Sequence, residues 1–324
     1  MRCLDVLERL CMENFYISLS AVLPMFVMLL LGVFLRKKNI ADRNSLNVIN
    51  QLCFKVFLAV NVYYNIYKVN IAEVLNWRLL ITAVISQFIV LGISVAAASL
   101  SEKDKKRKGA LAHGMFHTNF VIFGTLIGTA LCGENNIGSI VLLIAIIVPL
   151  QNVLSVVLLE SYRDNSQFSL GKTVMNALKN PYVVAAILGF ATQLLHIHFP
   201  EMIANIFRDL GRCGTPLALI AMGGLFNFES ISSNTKAISI GVIFRLVIIP
   251  ALLIPAAVMM GFRGSELVAL MCIFFAPCAT TSFNLACAMD SDADLASQLV
   301  VFTSLVSLIT IFLWIFGVNS LGLI

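Results

Sequence analysis

Long apolar segments, separated by short charged ones, run through almost the whole chain. Cutting the sequence at the charged clusters leaves ten segments near the length of about 20 residues that a helix needs to cross a bilayer core. The predicted spans are 15–35, 46–66, 79–100, 109–131, 137–159, 181–199, 205–228, 237–260, 266–289 and 296–318. The pattern predicts an all-α integral membrane protein with ten transmembrane helices. The span at 205–228 is the weakest, because charged residues lie near its beginning.

Lys and Arg are shared unevenly between the two sets of connecting segments. The segments that follow predicted spans 1, 3, 5 and 7 hold thirteen of them, and the opposite side holds seven. Because short cytoplasmic loops are enriched in Lys and Arg, the first set is predicted to be cytoplasmic. This orientation describes a multi-pass protein of the cell membrane, in contact with the lipid bilayer, whose two termini are both extracytoplasmic.

Two basic residues, Lys55 and Arg245, fall near the middle of predicted spans, whereas none of the 17 acidic residues does. A central charge costs about 2.5 to 3.5 kcal/mol on insertion scales and usually faces a cavity or a partner. The imbalance favours an anionic ligand, and the guanidinium fork suits a carboxylate. The alternative is that either side chain snorkels, or donates to carbonyls freed near Pro250 and Pro255.

Dividing the ten spans into two sets of five gives candidate repeats at 15–159 and 181–318 within one transporter unit, 1–324. An odd number of spans in each half places the halves in opposite orientations. Inverted repeats of this kind are common in secondary transporters, whose substrate sites lie near the midplane on interrupted helices. The sequence therefore predicts matching interruptions in spans 4 and 9.

Both of these spans have a polar or proline-containing interruption about halfway along. A proline removes a backbone donor and disfavours helix in the residue before it. Two half-helix N-terminal ends that point at one place offer N–H groups and partial positive charge to an anion. The predicted substrate-binding residues are Thr118, Asn119, Pro277, Thr280, Thr281 and Ser282, with Asn284 as a neighbour and with Arg245 and Lys55 as cations. An ordinary proline kink is the alternative.

Four stretches of the chain resemble one known family. They are PCATTSFNLACAMDSDADLASQLVVFTSLVSLITI from Pro277, residues 119–128 with Gly133-Glu134, residues 215–219 with Gly223-Gly224, and Pro149-Leu150-Gln151-Asn152. In order and spacing these stretches resemble the auxin efflux carrier family, whose bacterial members are often called malate permeases. The chain departs from the family pattern at Ala59, Val121 and Leu126, where proline, glycine and proline are expected.

The resemblance implies a ten-helix fold similar to the bile-acid symporter and sodium–proton antiporter architecture. Spans 1, 2, 6 and 7 would form a scaffold, and spans 3–5 and 8–10 a mobile transport domain in which broken helices 4 and 9 cross. The implied function is that of a secondary transporter, a permease or efflux carrier of a small organic anion such as a carboxylate, working by alternating access. A homodimer through the scaffold is implied, and no cofactor is.

Composition narrows the function classes further. The chain is 59% hydrophobic and 12% charged, against about a quarter charged in soluble proteins, which excludes a soluble enzyme and a nucleic-acid binder with a broad basic face. A channel, a membrane-embedded sensor and an intramembrane enzyme stay open as alternatives, although an enzyme would need a catalytic group in mid-span.

Two further pairs of polar residues each have two possible roles. His113 and His117 lie four apart on one helix face, as a proton relay or as packed neutral side chains. Asn61 and Asn65 face either the substrate path or neighbouring helices. His196 and His198 have no third ligand beside them, so no metal site is predicted.

Overall fold

The computed structural model describes residues 23–24, 27–68, 75–134, 136–163, 175, 179, 181–225 and 234–324. This part of the chain is helical, with one isolated β-bridge, so the all-α prediction is confirmed for it. The helices are α1 (27–37), α2 (Arg43–Lys68), α3 (Trp77–Ser101), α4 (Lys105–Phe116), α5 (Phe120–Cys132), α6 (Gly138–Ser161), α7 (Pro181–Leu194), α8 (Glu201–Leu225), α9 (Thr235–Met259), α10 (Gly264–Phe275), α11 (Thr281–Ala288) and α12 (Ala293–Ser320).

Five helices of the described part, α2, α3, α6, α9 and α12, are long and apolar enough to cross a membrane. They coincide with predicted spans 2, 3, 5, 8 and 10. Predicted spans 4 and 9 are each divided into two shorter helices, α4 with α5 and α10 with α11. Predicted span 1 and the end of span 7 reach beyond the described residues.

The prediction of a span at 181–199 places its end too far along the chain. Helix α7 ends at Leu194, and His196 lies in the left-handed region with φ of 50°. Apolar residues continue beyond that turn, and hydropathy alone does not register a change of backbone direction.

The helices pack in two groups. Helix α2 packs mainly against α7 and α8, whereas α3 to α6 and α9 to α12 pack mainly on one another. Between the groups, α6 contacts α2 and α7, and α5 contacts α8. The broken helices belong to the second group, and α5 faces the first.

Four of the helices that begin in loops, α2, α3, α4 and α12, are capped by side chains. The caps are Asp42 to the Ser45 amide at 2.8 Å, Asn76 to the Leu79 amide at 3.1 Å, Asp104 to the Arg107 amide at 2.9 Å, and Asp292 to the Leu295 amide at 2.9 Å. Each bond satisfies an amide that has no partner within its own helix. Helices α5 and α11, which begin inside the protein, have no such side-chain bond at their N-caps Asn119 and Thr280.

Both mid-span basic residues lie in π-helical turns. Cys53–Phe57 forms such a turn within α2, and Phe244–Ile248 forms one within α9. A π-turn breaks the regular hydrogen-bond ladder and is frequent at functional sites. In α9 the Leu246 carbonyl accepts a hydrogen bond from Trp314 Nε1 at 3.0 Å, which ties the turn to α12.

We expect Gly223→Ala to destabilise the protein and Gly92→Ala to stabilise it. A Cβ at Gly223 in α8 would collide with the carbonyl of Leu29 in α1, whereas nothing lies within 4 Å of a Cβ at Gly92 in α3. Overpacking costs about 1–3 kcal/mol, and an unobstructed Gly→Ala change in a helix gains about 0.5–1 kcal/mol. Thermal unfolding in detergent measures both, and a Gly223→Ala midpoint at or above that of the parent would contradict the close approach of α1 and α8.

Candidate functional site

The two broken helices cross where each is interrupted. Thr118 and Cys278 face each other across an antiparallel β-bridge. The Asn119 amide donates to the Pro277 carbonyl at 2.9 Å, and a matching bond of 2.9 Å joins the residues on the other side of the pair. The crossing therefore satisfies backbone groups that helix interruption frees in a region from which water is excluded.

Polar side chains of the long helices α6 and α12, which come after the second half-helices, hold the crossing in place. Thr118 Oγ1 donates to Gln151 Oε1 of α6 at 3.2 Å, and the Cys278 amide donates to Thr303 Oγ1 of α12 at 3.0 Å. Gln151 Nε2 in turn donates to Gln87 Oε1 of α3 at 2.8 Å. Gln87, Gln151 and Thr303 are not among the site residues predicted from the sequence, although a polar residue inside an apolar span is a signal that could have identified them.

One buried arginine caps the C-terminal ends of both first half-helices. Arg245 is 1% exposed. Its Nε donates to Ala276 O at 2.8 Å, and its Nη2 donates to the carbonyls of Ile273 and Phe274 at 2.6 and 2.7 Å, all at the end of α10. Its Nη1 donates to Met115 O, at the end of α4, at 3.2 Å.

The arginine provides the positive charge that two helix C-terminal ends attract. Each end carries about −0.5 elementary charge, so one guanidinium matches the ends of α4 and α10 together. Four N–H groups of Arg245 bind main-chain carbonyls, as the alternative reading of the sequence allowed, but at the break near Pro277 and not near Pro250 or Pro255. Because these N–H groups are occupied, Arg245 contributes positive charge to this region but not a free guanidinium that could bind a carboxylate.

At the N-terminal ends of the second half-helices, by contrast, polar cap atoms lack hydrogen-bond partners among the described residues. Asn119 begins α5 and is 4% exposed, and its Nδ2 has no hydrogen-bond partner among the described residues. Thr280 begins α11, and its buried Oγ1 likewise lacks a partner there. A buried unpaired polar group costs about 1–3 kcal/mol. Both ends also carry partial positive charge, so they are suited to an anionic ligand that accepts hydrogen bonds.

The remaining predicted residues divide between the crossing and the periphery. Pro277, Thr281 and Ser282 lie at the second break, where the Cys278 thiol donates to Ser282 Oγ at 3.3 Å. Lys55 is exposed, in a π-turn that packs mainly against α8. The side chain of Asn284 lies outside the described residues.

A cavity of about 220 Å³ opens beside α5, between it and helices α2 and α8. Asn61 and Asn65 line it, joined by a hydrogen bond of 3.2 Å, as does Thr125 of α5. At about 1.5 Å per helical residue, Thr125 lies about 9 Å along α5 from the crossing. At the cavity's edge, Arg212 of α8 binds both carboxylate oxygens of Glu134 at 2.8 and 2.9 Å.

Comparison with known proteins gives the same family as the sequence motifs. The family model described as "Membrane transport protein" matches residues 17–315. The chain is also 28% identical, over 151 residues, to a protein of Oryza sativa subsp. japonica named "Probable auxin efflux carrier component 5a". That match covers 44% of this chain and 41% of the relative's length. The predicted resemblance to the auxin efflux carrier family is confirmed.

We expect Arg245→Met to destabilise the protein even without a ligand. The change leaves four carbonyls without their donor, and a buried polar group that loses its hydrogen-bond partner costs about 1–3 kcal/mol. Arg245→Lys should recover only part of the loss, because a compact ammonium lacks the forked guanidinium that reaches carbonyls of both half-helices. Thermal unfolding in detergent is the measurement.

Lys55→Met is the matched control for this prediction. It removes the other mid-span cation from an exposed position, so the unfolding midpoint should stay at or above that of the parent. If Arg245→Met unfolded like the parent and lost only the binding of carboxylic acids, Arg245 would be a ligand-contacting residue and not a helix cap.

Proposed function

Because the chain belongs to the membrane transport protein family, we propose that it is a secondary transporter that carries a small organic anion such as a carboxylate across the cell membrane. The observation that carries the choice of an anion is the pair of caps, Asn119 and Thr280, whose buried Nδ2 and Oγ1 atoms lack partners among the described residues at the N-terminal ends of α5 and α11. The family supports transport, and the positive ends of α5 and α11 support the sign of the cargo.

The proposed site holds the carboxylate between the two N-terminal ends. One oxygen accepts from the first turn of α5 and from Asn119 Nδ2, and the other accepts from the first turn of α11 and from Thr280 Oγ1. Thr118, Thr281 and Ser282 shape the same region. Arg245 adds positive charge from the opposite side of the crossing without donating to the ligand. The rice relative, named as a probable auxin efflux carrier, suggests organic acids as the first candidates.

We further propose that the fold consists of two inverted five-helix repeats, 15–159 and 181–318. Three features support this. The first half-helices α4 and α10 are both 12 residues long, and the backbone bonds of the crossing are symmetric about Thr118 and Cys278. Each break is also held by a side chain of the long helix after its second half-helix, Gln151 of α6 or Thr303 of α12.

Alternating access would then move the two packed groups of helices against each other. The group of α1, α2, α7 and α8 serves as the scaffold, and the group containing the crossing carries the substrate. The cavity beside α5 lies between the groups and forms the approach to the site from the side of Glu134. A homodimer through the scaffold is part of the same proposal.

Asn119→Ala should weaken carboxylate binding by at least about tenfold, which corresponds to 1.4 kcal/mol, and Thr280→Ala and Thr281→Ala should weaken it less. A thermal-shift screen against monocarboxylic and dicarboxylic acids identifies the ligand, since a ligand that binds the native state raises its stability. Asn136→Ala, at an exposed loop asparagine, is the control and should bind like the parent. Unchanged affinity in all three site variants would place the site elsewhere.

Counterflow in proteoliposomes separates a carrier from the alternatives. A carrier preloaded with the unlabelled acid accumulates the labelled acid transiently, because each loaded transport domain returns loaded. A channel only equilibrates the label, and a sensor moves none of it. Absence of counterflow with an acid that binds would therefore contradict the transporter proposal while leaving the binding site in place.

The proposed orientation has the loops after α1 and α3 in the cytoplasm and both termini outside. Cysteines introduced at Lys38 and Lys105 should react with a membrane-impermeant maleimide only after the cells are permeabilised. Cysteines at Asn136 and Arg263, in loops on the opposite side, should react in intact cells. The unsubstituted parent corrects for native cysteines, and labelling of position 38 or 105 in intact cells would reverse the orientation.

A further inference from the structure

A pair of buried histidines lies directly beside the crossing. His113 is 0% and His117 4% exposed, with His117 Nδ1 and His113 Nε2 at 3.2 Å. The backbone carbonyl of His117 accepts one of the crossing's own hydrogen bonds, from Ala279. The proposed carboxylate site, at Asn119, is only two residues further along the chain. The pair is therefore placed to respond to whatever binds there.

The two rings can accept one further proton while they stay in contact. In a neutral pair, one ring nitrogen donates to the other across the 3.2 Å contact, so each ring keeps one outer nitrogen. Of these two outer nitrogens, one carries the remaining hydrogen and the other a lone pair. His113 Nδ1 is buried and without a hydrogen-bond partner among the described residues. A proton can add to the free lone pair without breaking the contact between the rings.

Further polar side chains extend from this pair toward the ends of α3 and α6. We call them the polar column, and its members are Gln87, Ser94 and Ser99 of α3, His113 and His117 of α4, and Gln151, Ser155 and Tyr162 at α6. Helices α3, α4 and α6 pack on one another. Spacings of four or seven residues put Gln87 with Ser94, and Gln151 with Ser155 and Tyr162, on one face of each helix, and the bond between Gln87 and Gln151 shows that these faces meet. Ser99 lies five residues beyond Ser94 and joins the column through its contact with the Tyr162 hydroxyl.

Four atoms of the polar column are buried and lack hydrogen-bond partners among the described residues. They are Gln87 Nε2, Ser94 Oγ, His113 Nδ1 and Ser155 Oγ. Buried polar groups of this kind usually bind internal water, and chains of hydroxyls, rings and water conduct protons. The column ends at the hydroxyls of Ser99 and Tyr162, which are 3.3 Å apart, on the side assigned to the cytoplasm. Ser99 is exposed and Tyr162 is half-buried.

The charges around the pair determine when a proton is bound. The helices packed against α4 contribute charged groups and one thiol among the described residues. They are Arg245 and Lys236 of α9, Arg78 of α3 with Glu102 and Lys103 after it, Glu160 and Arg163 at the end of α6, Asp290 after α11, Asp292 and Asp294 at α12, and the Cys278 thiol. Of the charged groups, all but Arg245 lie at the loop ends of their helices. A proton on the histidine pair thus adds a second positive charge near the guanidinium, and a negative charge in the adjacent site offsets it.

We propose that the protein binds one proton together with each carboxylate, with the His113–His117 pair as the proton acceptor and the polar column as its path to the cytoplasm. This inference rests on the proposed function. Because coupling between two sites is reciprocal, the anion favours the protonated pair and the protonated pair favours the anion. The proton comes from water, adds to the outer ring nitrogen, and returns to water when the anion leaves. No electron transfer or bond formation between heavy atoms is involved.

The test counts the protons taken up as the acid binds. L-malate and indole-3-acetate are titrated into the purified protein by calorimetry at pH 7, in two buffers of different ionisation enthalpy. Carboxylic acids are ionised at this pH, so the proton count belongs to the protein. The parent should take up about one proton per acid bound. Its affinity should fall by up to about tenfold for each unit of pH increase, because the bound state holds one more proton.

Two pairs of substitutions separate the buried histidines from the exposed ones. His113→Gln with His117→Gln should bind the acid with no proton uptake and with an affinity independent of pH. His196→Gln with His198→Gln, at exposed positions, should behave like the parent. If the double variant of the buried pair does not fold, as judged by thermal unfolding, the single changes His113→Asn and His117→Asn are used, and each should reduce the proton count.

The outcomes distinguish this inference from the proposed function. If the parent binds either acid without proton uptake, the proton site is overturned and the carboxylate site stands. If the proton count survives removal of both buried histidines, the acceptor is another group and the inference is wrong. If neither acid binds, the proposed function fails for aromatic monocarboxylates and for dicarboxylates, and the proton inference fails with it.

Discussion

The hydrogen bonds from Arg245 to the ends of α4 and α10 are the interaction on which the rest of the site depends. Interrupting two helices inside an apolar protein frees carbonyls at the first halves and amides at the second halves. One guanidinium satisfies carbonyls of both first halves with four donors. A lone charge at this depth is costly in lipid, but here two helix ends surround it with carbonyl dipoles. The breaks and the arginine therefore stabilise each other.

An asymmetry follows from this arrangement. The C-terminal ends at the crossing are satisfied by protein, while the N-terminal ends keep Asn119 Nδ2 and Thr280 Oγ1 without a partner in the described part of the chain. The same fold with its arginine at the other ends would have satisfied the amides and exposed carbonyls, which suits a cation. In the proposed site, the sign of the ligand therefore depends on which pair of half-helix ends the protein satisfies with its own groups.

The sequence allowed the breaks to be located but not their partners. His117 to Asn119 and Pro277 to Ser282 interrupt otherwise apolar spans, and a proline or a polar cluster has a local effect on the backbone that can be read residue by residue. Arg245 and Lys55 look alike by hydropathy, yet one is buried between two half-helices and the other is exposed. Which partner a mid-span cation finds depends on residues far along the chain, 31 positions away for Ala276 and 130 for Met115. The Gln87–Gln151 bond was not predicted for the same reason.

The ion pair between Arg212 and Glu134 joins α8 to the end of α5 across the edge of the cavity, and both side chains are more than half exposed, at 55% and 61%. An ion pair in contact with water contributes about 0–1 kcal/mol, and dissolved salt screens it. The free energy of this ion pair is therefore close to the thermal energy. The pair can align the two helix groups, and ordinary fluctuations can break it. In the proposed orientation this edge of the cavity faces the outside of the cell, so its resting position should vary with the external ionic strength.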